Sequence, residues 1–170
     1  MVESVVNQSI VDALFSLMEK KNITEISVSE LVEKAGVGRA SFYRNFGTKE
    51  AVLQTYFRDF FQTISYEGLM GPRDLHAGVV CTYKKVFKER KRFSILQKQQ
   101  LLSFMDDAIY EKSIREMTID KRYESVYQAS GLAGASAFLI RTWIKHRFQE
   151  TPEELADAYL AMLTMDLLQK

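Results

Sequence analysis

The stretch that decides the fold is residues 27–46, which read SVSELVEKAGVGRASFYRNF. Its first half predicts a two-turn helix that Ser27 caps, and the glutamate three residues later is placed to close a capping box. Gly36 supplies the backbone freedom needed where this helix ends, and Val37 fills the turn as an apolar plug. A second short helix follows over about 39–46. Two short helices around such a turn predict a helix-turn-helix.

The second helix of this stretch turns small and polar side chains outward, while Leu31 and Phe42 are expected to face the core. Donors, acceptors and small apolar surfaces of this kind read base edges in a major groove. The alternative is an ordinary helical hairpin inside a bundle, although a buried hairpin would not need an outward polar set. That set is Arg39, Ala40, Ser41, Tyr43, Arg44 and Asn45.

Helical periodicity continues through the rest of the chain, and no strand pattern competes with it. Thr151 is the strongest predicted cap, because proline and glutamate occupy the first and third helical positions after it. The sequence predicts an all-α fold of about nine helices: a three-helix N-terminal domain joined through a fourth helix to a larger helical domain. Domains are expected at 1–50 and 51–170. Beyond the motif, helices are predicted over about 4–20, from Thr48, and over about 74–87, 91–102, 104–118, 121–148 and from Pro152.

Composition limits the class of protein. The 170 residues are 46% hydrophobic and 26% charged, which suits a chain with a real core rather than a disordered one. The single cysteine, Cys81, excludes an internal disulfide and a multi-cysteine zinc site, and we expect it to be a small buried hydrophobe. No run of eighteen apolar residues and no secretory leader is found, so we expect a cytoplasmic protein without membrane contact.

Catalysis has little support in the sequence. His76 and His146 are seventy residues apart, and no nucleophile-histidine grouping, phosphate-binding glycine loop or metal-spaced cluster is found. We therefore expect neither an enzyme nor a cofactor nor a metal.

The charge is uneven along the chain. The net charge of +1 is an average over unlike segments. The first 35 residues contain three cations and six acids, whereas residues 36–58 contain four cations and a single acid, Glu50. A denser basic stretch, residues 84–98, has seven cations and one acid, Glu89. Two interpretations of that stretch stay open: a solvated face balanced by the acids that follow it, or a site for an anion or a partner. Near-neutrality of the whole chain does not exclude DNA binding.

Residues 24–53 resemble the DNA-binding region of the TetR family of bacterial repressors. The motif likeness extends over about residues 5–60, and beyond them it is one of architecture. Gly38 departs from the family, which usually has a capping residue such as serine there. The matching positions are Ala35-Gly36-Val37, Ser41-Phe42-Tyr43, Phe46 and Thr48-Lys49-Glu50.

The resemblance implies roles for individual residues. Arg39, Ser41 and Asn45 stand where family members contact bases, and Ala40 offers a surface to a thymine methyl group. Tyr43 and Lys49 stand where the family contacts phosphates. The full set expected at DNA is Ser27, Ser29, Gly38, Arg39, Ala40, Ser41, Tyr43, Arg44, Asn45 and Lys49.

The resemblance also implies an effector pocket and a dimer interface in the C-terminal domain. Aromatic residues at helical spacing are as compatible with a plain core as with a pocket. A run of small residues is likewise compatible with ordinary packing inside one chain as well as with a dimer interface. The expected pocket residues are Tyr83, Phe87, Phe104, Tyr123 and Tyr127. The expected interface residues are Gly131, Gly134, Ala135, Phe138, Trp143, Leu155, Tyr159 and Met162.

The function expected from this resemblance is that of a homodimeric transcriptional regulator that binds a palindromic operator in double-stranded DNA. Repression is the expected sign, with release by an unknown small-molecule effector. The alternative is a helical dimer that binds a small molecule or a protein without operator-specific DNA binding.

Overall fold

The computed structural model describes residues 2–64, 72–120 and 125–164, and every regular element in these ranges is helical. The predicted all-α fold is confirmed, with nine α-helices and one short 3-10 turn, Ile23–Glu25, in the described part. The helices are α1 (Val2–Met18), α2 (Val28–Ala35), α3 (Arg39–Asn45), α4 (Lys49–Gln62), α5 (Pro72–Lys88), α6 (Arg90–Lys98), α7 (Ser103–Asp120), α8 (Val126–Lys145) and α9 (Pro152–Thr164).

Side-chain caps define several helix starts. The Thr48 hydroxyl accepts a hydrogen bond from the Ala51 N–H at 3.0 Å, as predicted for α4. At α9 the predicted box is complete, because Thr151 accepts from the Glu154 N–H while the Glu154 carboxylate accepts from the Thr151 N–H. Ser125 caps α8, so this helix begins at Val126 rather than at the predicted residue 121, and residues 121–124 lie outside the described ranges.

The end of α8 is a left-handed turn. Arg147 and Phe148 have φ angles of 58° and 57°, and the Phe148 N–H bonds to the Trp143 carbonyl at 2.9 Å. This geometry satisfies carbonyls that the last helical turn leaves without a partner. It ends α8 at Lys145, three residues before the predicted end.

The aromatic stripe of α4 packs against both halves of the chain. Tyr56 meets Phe15 of α1 with ring centroids 5.0 Å apart, while Phe57 and Phe60 meet Phe93 of α6 at 5.8 and 5.7 Å. Burying an aromatic side chain contributes about 1.5–3 kcal/mol, so this stripe is a large part of the cohesion between the halves. The stripe therefore faces two partners, α1 and α6.

The C-terminal helices enclose a second part of the core around Trp143. Its ring lies 5.8 Å from that of Phe87 and 5.0 Å from that of Phe148, and its indole N–H donates to the Glu150 carbonyl at 2.9 Å. Within the described residues, no helix combines the length and the apolar composition needed to cross a membrane.

One expectation about an individual residue was wrong, and the charge around residues 84–98 is balanced differently from the first of its two interpretations. Cys81 is exposed, because it lies on the outer face of α5, next to the buried Val80 and Thr82. Two of the acids that follow the stretch 84–98 are engaged elsewhere, since Asp106 pairs with Arg141 and Glu116 with Lys112. The stretch is balanced in part by other acids, through the pairs Lys84–Glu153, Arg92–Glu89 and Arg92–Asp12.

Candidate nucleic-acid interface

The turn between α2 and α3 has the backbone geometry expected of it. Gly36 adopts a left-handed conformation with φ at 67°, and the Val37 N–H bonds to the Val32 carbonyl at 3.0 Å. A Cβ atom at Gly36 would meet no described atom within 4 Å. The dihedral angle, and not a lack of space, therefore favours glycine here.

Buried aromatic packing holds α3 in place. Phe42 is fully buried, and its ring contacts those of Tyr43 and Phe46 with centroids 5.4 and 6.2 Å apart. Gly38 precedes α3 and supplies no side-chain cap, as its sequence position predicted. Phe42 therefore fixes the position of α3, because its side chain cannot leave the core without opening a cavity.

The outward face of α3 is largely accessible. Arg39, Ala40, Tyr43 and Arg44 are exposed, and 57% of the Tyr43 surface is open to solvent. This surface has the donors and the small apolar face that major-groove contact needs.

Two residues on that face are already engaged within the protein. The Asn45 side-chain amide donates to the Ser41 carbonyl at 2.8 Å, so it would have to leave that bond to donate to a base. The Arg39 guanidinium donates to the Ser29 hydroxyl, which connects the start of α3 to the first turn of α2. Base contact by either residue thus involves exchange of an existing hydrogen bond.

Ser27 caps α2 as predicted, with its hydroxyl accepting from the Glu30 N–H at 3.1 Å. The reciprocal bond expected from Glu30 is absent, because its carboxylate binds the Lys21 ammonium at 2.5 Å. The expected capping box is therefore only half formed, since a cation from the end of α1 competes for the glutamate.

Lys49 has an internal role that sequence reasoning missed. Its ammonium donates to the Ile23 and Ile26 carbonyls at 2.6 and 2.5 Å, and it thereby ties the start of α4 to the 3-10 turn. An ammonium group has three donors, so one remains for the expected phosphate contact.

Gln99, which directly follows α6, joins the C-terminal helices to the N-terminal head, the name used here for α1–α3 with the 3-10 turn. Its side-chain oxygen accepts from the Ile23 N–H at 2.8 Å, and its nitrogen donates to the Met18 and Lys21 carbonyls at 3.0 and 3.1 Å. Ile23 is thus held by Gln99 through its N–H and by Lys49 through its carbonyl. Hydrophobic periodicity gives no sign of Gln99, because the residue acts through an amide at a helix end.

A cavity of about 270 Å³ lies among the C-terminal helices and the end of α4. Of the expected pocket residues, Tyr83 lines it. Phe87 does not, because its ring packs on Trp143, and Tyr127 is 84% exposed on the surface. Phe104 is half-buried against the core away from this cavity, and Tyr123 lies outside the described residues. The lining residues missed in the sequence include Phe61, Ile64, Leu75, Val79, Thr82, Ile109, Lys112, Ser113, Glu116, Leu132, Ser136, Ile140 and Tyr159.

The expected interface residues divide into two groups. Trp143 and Leu155 are buried inside the protomer and have little surface to offer a partner. The remaining residues retain exposed or half-exposed surface on α8 and α9: Gly131, Gly134, Ala135, Phe138, Tyr159 and Met162.

Comparison with known sequences gives a family match for the N-terminal helices. Residues 10–56 match the sequence profile described as bacterial regulatory proteins, TetR family. These residues are similar to the DNA-binding domain of the TetR family. The match covers α1 to the middle of α4, including the whole helix-turn-helix. No curated protein sequence is significantly similar to the chain.

Solved structures extend the likeness to the whole fold. A TetR transcriptional regulator from Streptococcus agalactiae superposes with a TM-score of 0.62 at 18% identity, covering 95% of this chain and 94% of that one. NalD of Pseudomonas aeruginosa gives 0.60 at 16% identity, with 96% of each chain covered. FadR of Bacillus subtilis, in complex with stearoyl-CoA, gives 0.56 at 17% identity, covering 92% of this chain and 96% of that one. The chain, including its C-terminal helices, thus has the fold of these proteins.

Proposed function

We propose that the protein is a homodimeric transcriptional repressor that binds a palindromic operator through α3 and is released by a small-molecule effector. The observation that carries the proposal is the exposed polar face of α3, seated on the buried Phe42 within a TetR-family domain. Direct base contacts are assigned to Arg39, Ala40 and Ser41, and phosphate contacts to Tyr43. Operator binding by the proposed repressor would take place in the bacterial cytoplasm, because the DNA is there.

The proposed sign of regulation and the effector rest on analogy with proteins of the same fold. NalD is described as the secondary repressor of a multidrug efflux pump, and FadR of Bacillus subtilis holds stearoyl-CoA. The cavity of about 270 Å³ in this chain offers a place for a small molecule.

The proposed dimer uses the exposed side of α8. Phe138 is 71% exposed there, and the two glycines of the helix, Gly131 and Gly134, precede it by seven and four residues. A Cβ atom at either glycine would meet no described atom within 4 Å, so packing inside the protomer does not require glycine. Close approach of a second helix would explain the small residues and would cover the Phe138 ring.

The DNA-binding proposal is tested by selecting duplexes from a random pool and measuring affinity for the selected sequence. Arg39→Ala should weaken that affinity by about 1–3 kcal/mol, while folding and the dimer are unchanged. Arg58→Ala is the matched control, because Arg58 is exposed on α4, outside the α3 face. If the wild type enriches no sequence and binds all duplexes equally, the alternative of a helical binding dimer without operator recognition is favoured.

The dimer is tested by sedimentation at micromolar concentration. Phe138→Glu should shift the wild-type dimer to a folded monomer, because it places a charge in the proposed apolar contact. Lys145→Glu, at the exposed end of the same helix, should leave the dimer intact. A wild-type protein that sediments as a monomer would exclude the interface and, with it, recognition of paired half-sites.

A further inference from the structure

Two hydroxyl groups on neighbouring helices line the cavity and bond to each other. The Ser136 hydroxyl on α8 donates to the Tyr159 hydroxyl on α9 at 3.2 Å. Other serines on helices of this protein, Ser94 and Ser130 among them, donate instead to the backbone carbonyl four residues earlier, at 2.8 Å in both cases. The Ser136 hydroxyl is thus turned away from its own helix and towards the phenol of α9.

The two hydroxyl groups leave one hydrogen without an acceptor. Each group has one hydrogen, and the bond between them uses one of the two, whichever group is the donor. The structure gives the other hydrogen no acceptor among the described residues. Since Ser136 donates, the remaining hydrogen belongs to Tyr159. Burial raises the pKa of Tyr159 above its ordinary value, so this hydrogen stays on the phenol at neutral pH.

Packing fixes the position of the phenol. The Tyr159 ring meets the Tyr83 ring edge-on, with centroids 6.5 Å apart and an angle of 87° between the ring planes. The ring contact and the bond from Ser136 together hold the Tyr159 hydroxyl at the cavity wall. A donor held in this way loses little conformational freedom when it binds a partner.

The chemistry of an occupant decides whether this hydrogen finds an acceptor. A molecule that enters the cavity displaces water from the wall, and an apolar group against the phenol would leave the donor unsatisfied. An enclosed donor without a partner is costly, whereas an acceptor oxygen on the occupant restores the bond. Ile64, Val79 and Ile140 line the same space, so the rest of the occupant meets apolar surface.

We propose that the cavity binds a small, mostly apolar molecule with a carbonyl oxygen, as in a ketone or an ester, and that the Tyr159 hydroxyl donates to this oxygen. Ser136 is a positioning residue, because it bonds to Tyr159 rather than to the occupant. At about 270 Å³ the cavity is slightly smaller than the sites of drug-sized ligands, which begin at about 300 Å³. The proposal rests on the proposed effector function, since the same cavity is used.

The test uses two neutral probes with one skeleton, butyrophenone and butylbenzene. They differ in a single group beside the phenyl ring, which is a carbonyl in the first and a methylene in the second. Calorimetry measures the affinity of each probe for the wild type and for Tyr159→Phe, which removes the hydroxyl and keeps the ring. Comparing wild type with variant for one probe at a time cancels the different hydration of the two probes.

Tyr159→Phe should weaken butyrophenone binding by about tenfold, because the variant leaves the enclosed carbonyl oxygen without its donor. The affinity for butylbenzene should be nearly unchanged. Tyr127→Phe is the matched control, since it makes the same change at a tyrosine that is 84% exposed on α8, and it should alter neither affinity. No binding of butyrophenone to the wild type, or an equal effect of Tyr159→Phe on both probes, would overturn the proposal.

A vibrational measurement tests the same bond if Tyr159→Phe does not fold. A hydrogen bond lowers the stretching frequency of a carbonyl group, so butyrophenone bound to the wild type should absorb at a lower wavenumber than in hexane. Ser136→Ala should shift or broaden this band, because the phenol keeps its hydrogen but loses the residue that positions it. Ser130→Ala, on the same helix, should leave the band unchanged. A band at the hexane position, or one that Ser136→Ala does not alter, would refute the proposal.

A separate measurement of DNA affinity distinguishes this inference from the proposed function. If butyrophenone binds through Tyr159 but leaves DNA affinity unchanged, the cavity assignment stands and the effector role fails. If both probes release DNA equally from the wild type and from Tyr159→Phe, the effector role stands and the carbonyl selection fails.

Discussion

Gln99→Leu is the sharpest test of how the two parts of the molecule are joined. The Gln99 amide uses one acceptor and both donors, bonding to the Ile23 N–H and to the Met18 and Lys21 carbonyls at 2.8–3.1 Å. Leucine keeps an apolar stem of similar length, but it removes all three bonds. The variant therefore isolates the polar contribution at this junction.

The expected loss follows from the number of bonds and their burial. Each hydrogen bond contributes about 0.5–1.5 kcal/mol net, so three would sum to about 3 kcal/mol. Gln99 is half-buried, so water can reach some of the groups left behind and reduce the loss. We expect the free energy of unfolding to fall by about 1.5–3 kcal/mol, measured as a lower urea midpoint at an unchanged m-value.

Gln97→Leu is the control for this prediction. Gln97 is an exposed glutamine in the last turn of α6, two residues before Gln99, and among the described residues the structure gives its side chain no hydrogen bond. Its replacement should change the free energy of unfolding by no more than about 0.5 kcal/mol. If the two variants lower the urea midpoint equally, the Gln99 bonds do not stabilise the protein and the reasoning is refuted.

Three further predictions concern other single contacts. Lys49→Met should lower the free energy of unfolding by about 1–3 kcal/mol in urea titration, because the Ile23 carbonyl loses a charged donor; an unchanged midpoint would contradict this. Arg147→Gly should raise the thermal midpoint by up to a few degrees, since glycine accepts the left-handed conformation without steric cost, and a fall would contradict it. The Lys84 ammonium lowers the pKa of Glu153, so this pair stabilises the fold above the unfolded-state pKa of the carboxyl group and the stabilisation is lost as pH falls through the folded-state pKa. Lys84→Met should therefore make stability less dependent on pH across the acid range, as followed by thermal midpoints, and an unaltered pH profile would argue against the contact.

The sequence predicted the local features of the head because they depend on neighbouring residues. The cap at Ser27, the turn at Gly36 and the buried Phe42 all follow from residue type and spacing within a few positions. The partner of Glu30 could not be predicted in this way, because Lys21 competes for it from another helix. Local patterns predict a cap, but tertiary contacts decide which of two partners a carboxylate takes.

The cavity was harder to predict for a related reason. The resemblance implied a pocket, and Tyr127 and Phe87 were expected there, but periodicity does not distinguish a helix face that meets solvent from one that meets a core or a cavity. A signal that could have been used is the opposite-charge pair Lys112 and Glu116, four residues apart on α7. An i, i+4 pair is usually a surface feature, so its enclosure became visible only with the neighbouring helices in place.

The arrangement of α4 explains how an occupant of the cavity could affect α3. Phe61, near the end of α4, lines the cavity, while Lys49, at its start, holds the 3-10 turn that Gln99 holds from the other side. The 14 residues of α4 form a rod about 21 Å long, so a displacement at one end must appear at the other unless the helix bends. An occupant would shift α3 only if it bound the protein more tightly with α4 in one position than in another. DNA binding would then change the affinity for that occupant by the same factor by which the occupant changes the affinity for DNA. Because Gln99 joins the same turn to α6, motion of α4 alone would strain or break its bonds. Movement of the head as one unit with α4 and the end of α6 is therefore the less costly route.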